Sequence, residues 1–398
     1  MTPLRLTHFT TVSALGRGTP ATLSALRERR SGLRPCDFQD SRLDTFIGRV
    51  DGVESAPITG ELATFDCRNN RLALLGLKQD GFEDAVAQAR AHYGPRRIAV
   101  VLGTSTAGIL ETELAYHRRD PQSGALPQEF IPRYRYTHNT FSVAHFVRSR
   151  LKLQGPASVV STACSSSANA FSSASRLLET GLCEAAIVGG VDSLCLTTLY
   201  GFSSLELESQ GPCRPADADR DGLSIGEGAG FVLVEKYEGS PKPGDIVLLG
   251  YGESCDAFHM SHPHPSGGGA ILAMERALKS ANVPSTEIDY VHLHGTATKA
   301  NDKTEDQAVT TVFGSRIPCS STKGWTGHTL GAAGGIESVI AALCLRHQFL
   351  PGTLNTNTID PSFTSHVVIE NQERPLKKML SNFFGFGGNN CSLLFGLL

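Results

Sequence analysis

The chain has 398 residues, of which 40% are hydrophobic and 19% are charged, a balance typical of a globular protein with a large buried core. The formal net charge of −3 gives no electrostatic case for a nucleic-acid-binding protein. No apolar run approaches the roughly 20 residues that span a bilayer. Residues 1–16 lack the apolar core of a signal peptide, so we expect a cytoplasmic protein without a membrane span.

Short apolar runs alternate with helix-like stretches along the chain. Buried strands are predicted at 97–102, 185–191, 231–235, 246–250, 290–294 and 392–395. Buried strands that alternate with helices predict an α/β protein with a layered sheet. The ten cysteines are dispersed without a Cys-x-x-Cys pair, which indicates neither a zinc ribbon nor a disulfide framework.

The segment 238–244 is rich in glycine and proline and is the predicted linker. It divides the chain into an N-terminal half, residues 1–240, and a C-terminal half, residues 241–398. Each half has a Ser-Thr pair after an apolar strand, then a small-residue helix. The pairs precede Cys164 in the first half and His328 in the second. This weak echo predicts two similar halves that meet at one site.

Cys164 lies between a predicted strand and a predicted helix. Val159 and Val160 are predicted to end the buried strand, and the small residues 165–174 begin the helix. The free N–H groups and the dipole of a helix N-terminus favour thiolate over thiol. We therefore predict a readily ionised nucleophile, although a cysteine considered alone is more often a buried structural residue.

Three further motifs lie at predicted strand ends, where α/β proteins place their sites. They are His-Gly-Thr-Ala-Thr at 294–298, Lys-Gly-Trp-Thr-Gly-His at 323–328 and the glycine-rich segment 382–390. One histidine in a loop, or one glycine-rich turn, is a weak signal. The four motifs together, in this order, are specific.

With these motifs the chain resembles the beta-ketoacyl-ACP synthases, the condensing enzymes of fatty acid and polyketide assembly. The resemblance covers essentially the whole chain and includes the segments 162–166, 189–192, 213–217, 219–222, 226–230, 294–298, 323–334 and 385–388. It implies a thiolase-like α/β fold, in which two similar βαβαβαββ halves form a five-layered α-β-α-β-α core. The nucleophile would lie in the first half, and two histidines and a lysine in the second.

The resemblance also implies the reaction. An acyl chain held as a thioester on Cys164 condenses with malonyl-ACP and gives 3-oxoacyl-ACP, CO2 and free ACP. Sulfur is needed to form the thioester, and the backbone N–H groups of Cys164 and Phe386 would stabilise the oxyanion. His294 and His328 would stabilise the enolate that decarboxylation leaves.

The remaining catalytic and binding residues follow from the same resemblance. Lys323 would support His328, with Glu337 behind it on the helix. The others match substrate-binding positions: Thr296 and Thr298 for the pantetheine arm, Phe384 for a gate beside the nucleophile, Phe202 for the tunnel wall and Thr106 for the chain-length gate. No cofactor is expected, because phosphopantetheine arrives on the acyl carrier protein.

Several positions depart from the family pattern. Asn389 and Lys299 stand where threonine and proline are frequent, and Trp325 replaces a smaller apolar residue. His292 stands where many relatives carry asparagine at a structural monovalent-cation site, so we do not predict that ion and assign no metal ligands. The polar Thr106 and the bulky Trp325 favour a specialised pathway, such as aryl polyene assembly, slightly over housekeeping fatty acid elongation.

Two other classes of function have support in the sequence. A cysteine-dependent thioester hydrolase would pair Cys164 with His294, about 130 residues downstream, but it leaves His328 and Lys323 without roles. A metal-binding module would use the three histidines of the His-x-x-His-x-His run at 259–264.

The predicted partner is an acyl carrier protein. Such carriers are acidic and this chain is mildly acidic itself, so docking needs a local basic patch, for which Arg68 and Arg71 are candidates. A homodimer is the expected assembly, with a heterodimer with a chain-length-factor homologue as the alternative. The segment 130–141 is the candidate for crossing between subunits.

Overall fold

The computed structural model describes residues 1–237 and 242–398. The predicted boundary between residues 240 and 241, and four of the seven residues of the predicted linker, lie outside the described residues. Within the described ranges, none of the helices has the length and apolarity to cross a membrane.

Strands and helices alternate through the described chain. The strands are β1 (Leu4–Ser13), β2 (Gly16–Arg17), β3 (Arg34–Pro35), β4 (Phe46–Gly48), β5 (Ile98–Gly103), β6 (Ala157–Val160), β7 (Ala185–Asp192), β8 (Ile225–Gly226), β9 (Gly228–Lys236), β10 (Ile246–Cys255), β11 (Tyr290–His292), β12 (Pro318–Ser320), β13 (Phe349–Leu350), β14 (His366–Val367), β15 (Gln372–Glu373), β16 (Lys378–Gly385) and β17 (Asn389–Leu397). The helices are α1 (Gly18–Arg27), α2 (Arg68–Leu77), α3 (Phe82–Tyr93), α4 (Ile109–His117), α5 (Phe130–Arg133), α6 (Ser142–Arg150), α7 (Ser166–Glu179), α8 (Leu196–Ser204), α9 (Gly268–Ala281), α10 (Lys299–Phe313), α11 (Lys323–Thr326) and α12 (Ala333–His347). Each of the six strands predicted from the apolar runs is confirmed.

The main sheet repeats one strand order in its two halves. The first half runs β6-β5-β7-β9-β1 and the second runs β12-β11-β16-β17-β10. In each half the first three strands are parallel and the last two are antiparallel additions. Antiparallel pairing of β1 with β10 joins the halves. The halves are therefore similar, as the weak sequence echo predicts.

Helices cover both faces of each half. Phe171 of α7 and Val339 of α12 lie in one core with side chains from both halves of the sheet. Helices α2, α3 and α6 pack on the outer face of the first half, and α9 and α10 pack on the outer face of the second. The order of layers is α-β-α-β-α, which confirms the expected architecture.

Small residues let the two central helices approach closely. A Cβ built on Gly334 of α12 would lie 2.3 Å from the backbone nitrogen of Ala168 in α7, so only glycine fits there. One residue further along, the N–H of Gly335 donates to Ser167 Oγ at 2.9 Å. This contact places the N-terminal ends of both helices side by side, and the chain just before those ends carries Cys164 and His328.

Asp192 at the end of β7 ties the halves together. Its carboxylate accepts from Thr104 Oγ1 at 2.6 Å and from the backbone N–H groups of Ser105 and Thr106 at 2.8 and 2.9 Å. It also accepts from the N–H of Gly331 at 2.6 Å, in the turn before α12. The loop that follows β5 is thus fixed against the turn that follows His328.

Candidate active site

Cys164 occupies a tight turn between β6 and α7. The residue before it, Ala163, has φ of +53°, a left-handed conformation that disfavours L-residues by roughly 1–2 kcal/mol. Hydroxyl groups hold the turn, because the N–H of Thr162 donates to Ser166 Oγ at 2.9 Å and Ser165 Oγ donates to the carbonyl of Thr162 at 2.9 Å. The thiol is buried at the floor of a cavity.

The turn brings the thiol to two histidines from the other half of the chain. Cys164 Sγ, one ring nitrogen of His294 and one of His328 all lie within 4.8 Å of one another. The imidazole rings are nearly perpendicular, with centroids 5.3 Å apart. His294 follows β11 and His328 follows α11, so the site forms where the two halves meet.

Two backbone donors converge on the sulfur. The N–H groups of Phe386 and of Cys164 itself face the sulfur closely enough to lower the pKa of the thiol. Phe386 lies between β16 and β17 in a turn in which Gly387 and Gly388 have φ of +80° and +77°. These are the two N–H groups that the family resemblance assigns to the oxyanion.

Burial changes the expected acidity of the thiol. Desolvation raises the pKa of Cys164 to about 11, with a further contribution from Asp192, although the charge of Lys323 and the two backbone N–H groups lower it. The readily ionised nucleophile predicted from the helix position is therefore wrong for the resting protein. The residue is a neutral thiol at pH 7, and its proton has to leave as the sulfur attacks.

Alkylation of Cys164 should follow this raised pKa. Below a pKa of about 11 the thiolate fraction increases tenfold per pH unit, so we expect the rate of modification by iodoacetamide to rise about tenfold per unit between pH 6.5 and 9.5. Peptide mass spectrometry measures this rate, and the exposed Cys255 in the same digest reports reagent activity. A rate at Cys164 that is already constant above pH 8 would contradict the buried neutral thiol.

Both histidines are neutral at pH 7. Burial, together with the charge of Lys323, holds the pKa of His294 and of His328 well below the usual range. Among the described residues, neither ring nitrogen of His328 has a hydrogen-bond partner, nor has Nδ1 of His294. A neutral imidazole offers one N–H donor and one acceptor, so each ring can stabilise an oxyanion or take a proton.

Lys323 and Glu337 form a buried ion pair beside the histidines. Lys323 Nζ donates to Glu337 Oε1 at 2.8 Å, and both side chains are almost fully buried. Burial raises the pKa of Glu337, and Lys323 opposes that rise. Lys323 therefore donates its hydrogen bond to Glu337, and it acts on His328 and His294 only through its positive charge, which lowers the pKa of both rings.

Glu305 on α10 is a site residue that the sequence motifs do not single out. Its carboxylate accepts from the backbone N–H groups of His294 and Gly295, each at 2.8 Å, and from Asn382 Nδ2 at 3.1 Å. Burial raises its pKa to about 7. Glu305 fixes the backbone that carries His294, and its position on an otherwise ordinary helix gave no signal in the sequence.

His292 itself supplies no oxygen ligand at the position where the family resemblance implies a monovalent-cation site. The ring bonds on both nitrogens, with Ser381 Oγ at 3.1 Å and Thr322 Oγ1 at 2.9 Å. Its Nδ1 also lies 3.6 Å from Glu337 Oε2. An imidazole bonded on both sides offers no oxygen ligand such as an asparagine supplies.

A cavity of about 320 Å³ leads to Cys164 and the two histidines. Its walls include four of the five predicted substrate-binding residues, Phe202, Thr296, Thr298 and Phe384, together with Phe386 of the predicted oxyanion pair. The Phe384 ring lies 5.8 Å from that of His294, and Phe202 lies 5.4 Å from Phe386. Lys299 also lines the cavity, on the side of the two threonines.

Thr106 and Trp325 lie elsewhere. The hydroxyl of Thr106 donates to the buried Asp192 carboxylate at 2.9 Å. Thr106 is not among the residues of the cavity wall. Trp325 is fully buried in the central core. Neither residue is in the wall of this cavity, and the assignment of Thr106 to a chain-length gate stays a prediction.

The proposed basic docking patch on α2 is also wrong. Arg68 is buried and bonds to the fully buried Glu227 at 2.5 Å. Arg71 bonds to Asp66 through two nitrogens, each at 2.6 Å. Carboxylates neutralise both guanidinium groups, so neither is free to meet an acidic partner.

The three histidines at 259–264 do not converge as metal ligands. His259 Nδ1 and His262 Nδ1 lie 3.2 Å apart at the mouth of the cavity. His264 Nδ1 contacts Ser266 Oγ instead, at 2.8 Å. Within the described ranges, the histidine-containing group whose ligand atoms converge is Cys164, His294 and His328.

Comparison with known proteins places the chain in a family. Models of the beta-ketoacyl synthase N-terminal and C-terminal domains match residues 61–239 and 246–357. The mitochondrial 3-oxoacyl-[acyl-carrier-protein] synthase of Arabidopsis thaliana is 31% identical, over 96% of this chain and 91% of that protein. The 3-oxoacyl-[acyl-carrier-protein] synthase 2 of Rhizobium meliloti is 37% identical, over 81% of this chain and 77% of that protein.

A solved structure agrees with the sequence matches. The ketosynthase ApeO of Xenorhabdus doucetiae, in complex with its chain length factor ApeC, superposes with a TM-score of 0.89 and 37% identity, covering 100% of this chain and 98% of that chain. The ishigamide ketosynthase/chain length factor gives a TM-score of 0.89 at 26% identity, covering 100% of this chain and 99% of that chain. The chain belongs to the beta-ketoacyl-ACP synthase family, the acyltransferase-class condensing enzymes of the thiolase fold.

Proposed function

We propose that Cys164 carries the growing acyl chain and that His294 and His328 act on the malonyl unit. The observation that carries this assignment is the convergence of the three side chains within 4.8 Å at the floor of a single cavity. A hydrolase needs one histidine beside its cysteine. The second neutral histidine and the Lys323–Glu337 pair favour condensation.

In the transfer step, Cys164 Sγ attacks the thioester carbonyl of the acyl carrier protein. The thiol proton passes to one of the two neutral imidazoles, and the N–H groups of Cys164 and Phe386 stabilise the oxyanion. A donor of this kind lowers the barrier by about 3 kcal/mol. The carrier thiolate leaves and takes the proton back from the imidazole, so the histidines are neutral again.

In the condensation step, the bond between the malonyl carboxylate and the neighbouring carbon breaks. CO2 leaves, and the electron pair of that bond forms the thioester enolate. His294 and His328 each donate one N–H to the enolate oxygen, and the charge of Lys323 supports both rings. The enolate carbon then attacks the Cys164 thioester, and the C–S bond breaks as the new C–C bond forms. The thiolate regains a proton, and 3-oxoacyl-ACP leaves.

The cavity walls fit a thioester substrate on a long arm. We assign Thr296 and Thr298 to the pantetheine arm, since their hydroxyl groups lie 2.8 Å apart in the cavity wall. Phe384 would gate the nucleophile and Phe202 would line the acyl path. The arm arrives with the carrier, so no resident cofactor is required. The cytoplasmic location stays a prediction.

For the pathway, we propose specialised polyene or polyketide assembly over housekeeping elongation. The support is that ApeO, 37% identical over the whole chain, and the ishigamide ketosynthase, 26% identical, are each found with a chain length factor. Housekeeping elongation remains the alternative, because the Rhizobium synthase is also 37% identical over most of the chain.

We propose a second subunit of the same fold as the structural partner. Strand β6 ends the sheet, and its Ser158 is exposed while Val159 and Val160 are only half buried. The sequence predicts these valines inside a buried strand. A strand from a partner subunit, paired with the edge strand β6, would extend the sheet and bury them. Ile131 and Tyr134, in the candidate crossing segment, are 63% and 45% exposed. ApeO and the ishigamide ketosynthase are each found with a chain length factor, which supports a heterodimer beside the expected homodimer.

Intact-mass analysis tests the substrate and the pathway together. The protein is incubated with malonyl-ACP and a panel of saturated, unsaturated and aryl acyl-ACPs, alone and with candidate chain-length-factor subunits. We expect a mass increase on Cys164 and a product two carbons longer, with polyene or aryl acyl groups extended fastest. Equal or faster extension of saturated chains by the protein alone would overturn the specialised pathway, and release of free acid without condensation would overturn the reaction.

A further inference from the structure

The donor set at the floor of the cavity is also a set of zinc ligands. A thiolate and neutral imidazoles are the groups that Zn²⁺ prefers. Three such donors, from Cys164, His294 and His328, lie within 4.8 Å of one another. Donors around a tetrahedral zinc ion are separated by about 3.5 Å, given bond lengths of about 2.0–2.3 Å. Movements of about 1 Å in the side chains would therefore close the set around an ion.

Several ring nitrogens of these histidines lack hydrogen-bond partners among the residues that the structure describes, which points to a ligand rather than to ordinary core packing. Within the described chain, both nitrogens of His328 and Nδ1 of His294 are buried and lack a hydrogen-bond partner, whereas buried polar atoms are normally bonded. His292, also buried nearby, bonds on both nitrogens and shows the contrast. Cys164, His294 and His328 all line the cavity.

The positive charge of Lys323, which would repel a metal ion at the three donors, is offset by a neighbouring carboxylate. Lys323 is the nearest cation, and its ammonium group bonds to the Glu337 carboxylate at 2.8 Å, so the pair is neutral overall. A zinc ion bound by the cysteine as thiolate and by two neutral histidines adds one net positive charge. A water molecule from the cavity would take the fourth position, as in open zinc sites.

We propose that Cys164, His294 and His328 bind Zn²⁺ in the resting enzyme and that the ion reversibly inhibits acyl transfer. Zinc displaces the thiol proton to solvent and forms a bond to the sulfur that must attack the substrate. An acyl thioester on Cys164 removes the thiolate ligand, so the loaded enzyme does not bind the ion. The inhibitory effect rests on the proposed function, whereas binding of the ion does not.

Binding is tested on the substrate-free protein with Co²⁺ and Zn²⁺. We expect one Co²⁺ per chain with a thiolate-to-cobalt charge-transfer band, displaced by Zn²⁺ and unaffected by Mg²⁺, which prefers oxygen ligands. Cys164→Ala should remove the band, and Cys164→Ala and His328→Ala should each weaken Zn²⁺ binding by more than the about 10- to 100-fold that loss of a group supporting a ligand costs. The melting temperature of each variant, measured without metal, shows that it is folded.

Control variants separate this site from the mouth of the cavity. The exposed Cys255 and the His259–His262 pair offer competing thiol and imidazole ligands outside the buried set. Cys255→Ser and the double variant His259→Gln/His262→Gln should keep the cobalt band. Loss of the band in either control, with its retention in Cys164→Ala, would overturn the proposal.

A half-reaction assay tests inhibition separately from binding. Zn²⁺ should slow formation of the acyl-enzyme at least about 10-fold and should leave condensation of a preloaded acyl-enzyme unchanged, with chelation restoring the rate. Equal inhibition of both steps would overturn this mode of inhibition. An enzyme that condenses acyl and malonyl units normally but binds no zinc would disprove the metal site and leave the proposed function standing.

Discussion

Cys164→Ala is expected to abolish condensation, with a loss of at least about 10⁴-fold, because no other group at the floor of the cavity can hold the acyl chain as a thioester. Intact-mass analysis should show no acyl adduct with any acyl carrier substrate. The loss of one buried sulfur atom should leave the fold in place, which the melting temperature and circular dichroism check.

Cys183→Ala is the matched control. Cys183 is as deeply buried as Cys164 but lies in the central core, away from the cavity. It should lose a similar amount of packing and keep full activity. Condensation by Cys164→Ala at more than a thousandth of the wild-type rate would show that the chain does not pass through a thioester on this residue.

His328→Ala is expected to separate the two half-reactions. Either imidazole can take the thiol proton, since both lie within 4.8 Å of the sulfur and both are neutral. Acyl-enzyme should therefore still form, within about 10-fold of the wild-type rate. The enolate needs both N–H donors, and loss of one should slow CO2 release and condensation by about 10²–10³-fold.

The conservative variant distinguishes donation from packing. His328→Asn retains an N–H donor and should recover part of the lost rate, whereas a role limited to filling space would give no such recovery. His347→Ala, on the partly exposed end of α12, provides a histidine control. If His328→Ala slowed acyl-enzyme formation as much as condensation, the division of labour between the histidines would be wrong.

Much of the fold is readable from the sequence because strands buried on both faces are continuous apolar runs. The runs at 185–191 and 231–235 coincide with β7 and part of β9. Edge strands are less clear, since β6 carries the same valines as a buried strand yet is half exposed. The repeated strand order of the two halves was hardly visible in the sequence, because the two halves share few residue types at matching positions.

The site divides in the same way. Residues in short motifs, such as His294 and His328, could be named because their chemistry is rare in combination. Residues that act through one contact from a distant helix, such as Glu305, could not. The sequence shows the arginines of α2 but not whether they are available to bind a partner, because Arg68 forms a salt bridge with Glu227, 159 residues further along the chain.

By itself the sequence determined the family and named the candidate nucleophile and the candidate pair of histidines, because these depend on residue types in motifs that the chemistry requires. Only the tertiary structure decided the protonation state of these side chains and the partners of the charged groups around them. Cys164 has the helix position of an activated thiol, but burial raises its pKa to about 11. Desolvation depends on every atom packed around the sulfur, many of them from the other half of the chain. The same packing placed Thr106 on Asp192 rather than in the cavity and paired Lys323 with Glu337, since buried charges must find partners wherever the fold supplies them.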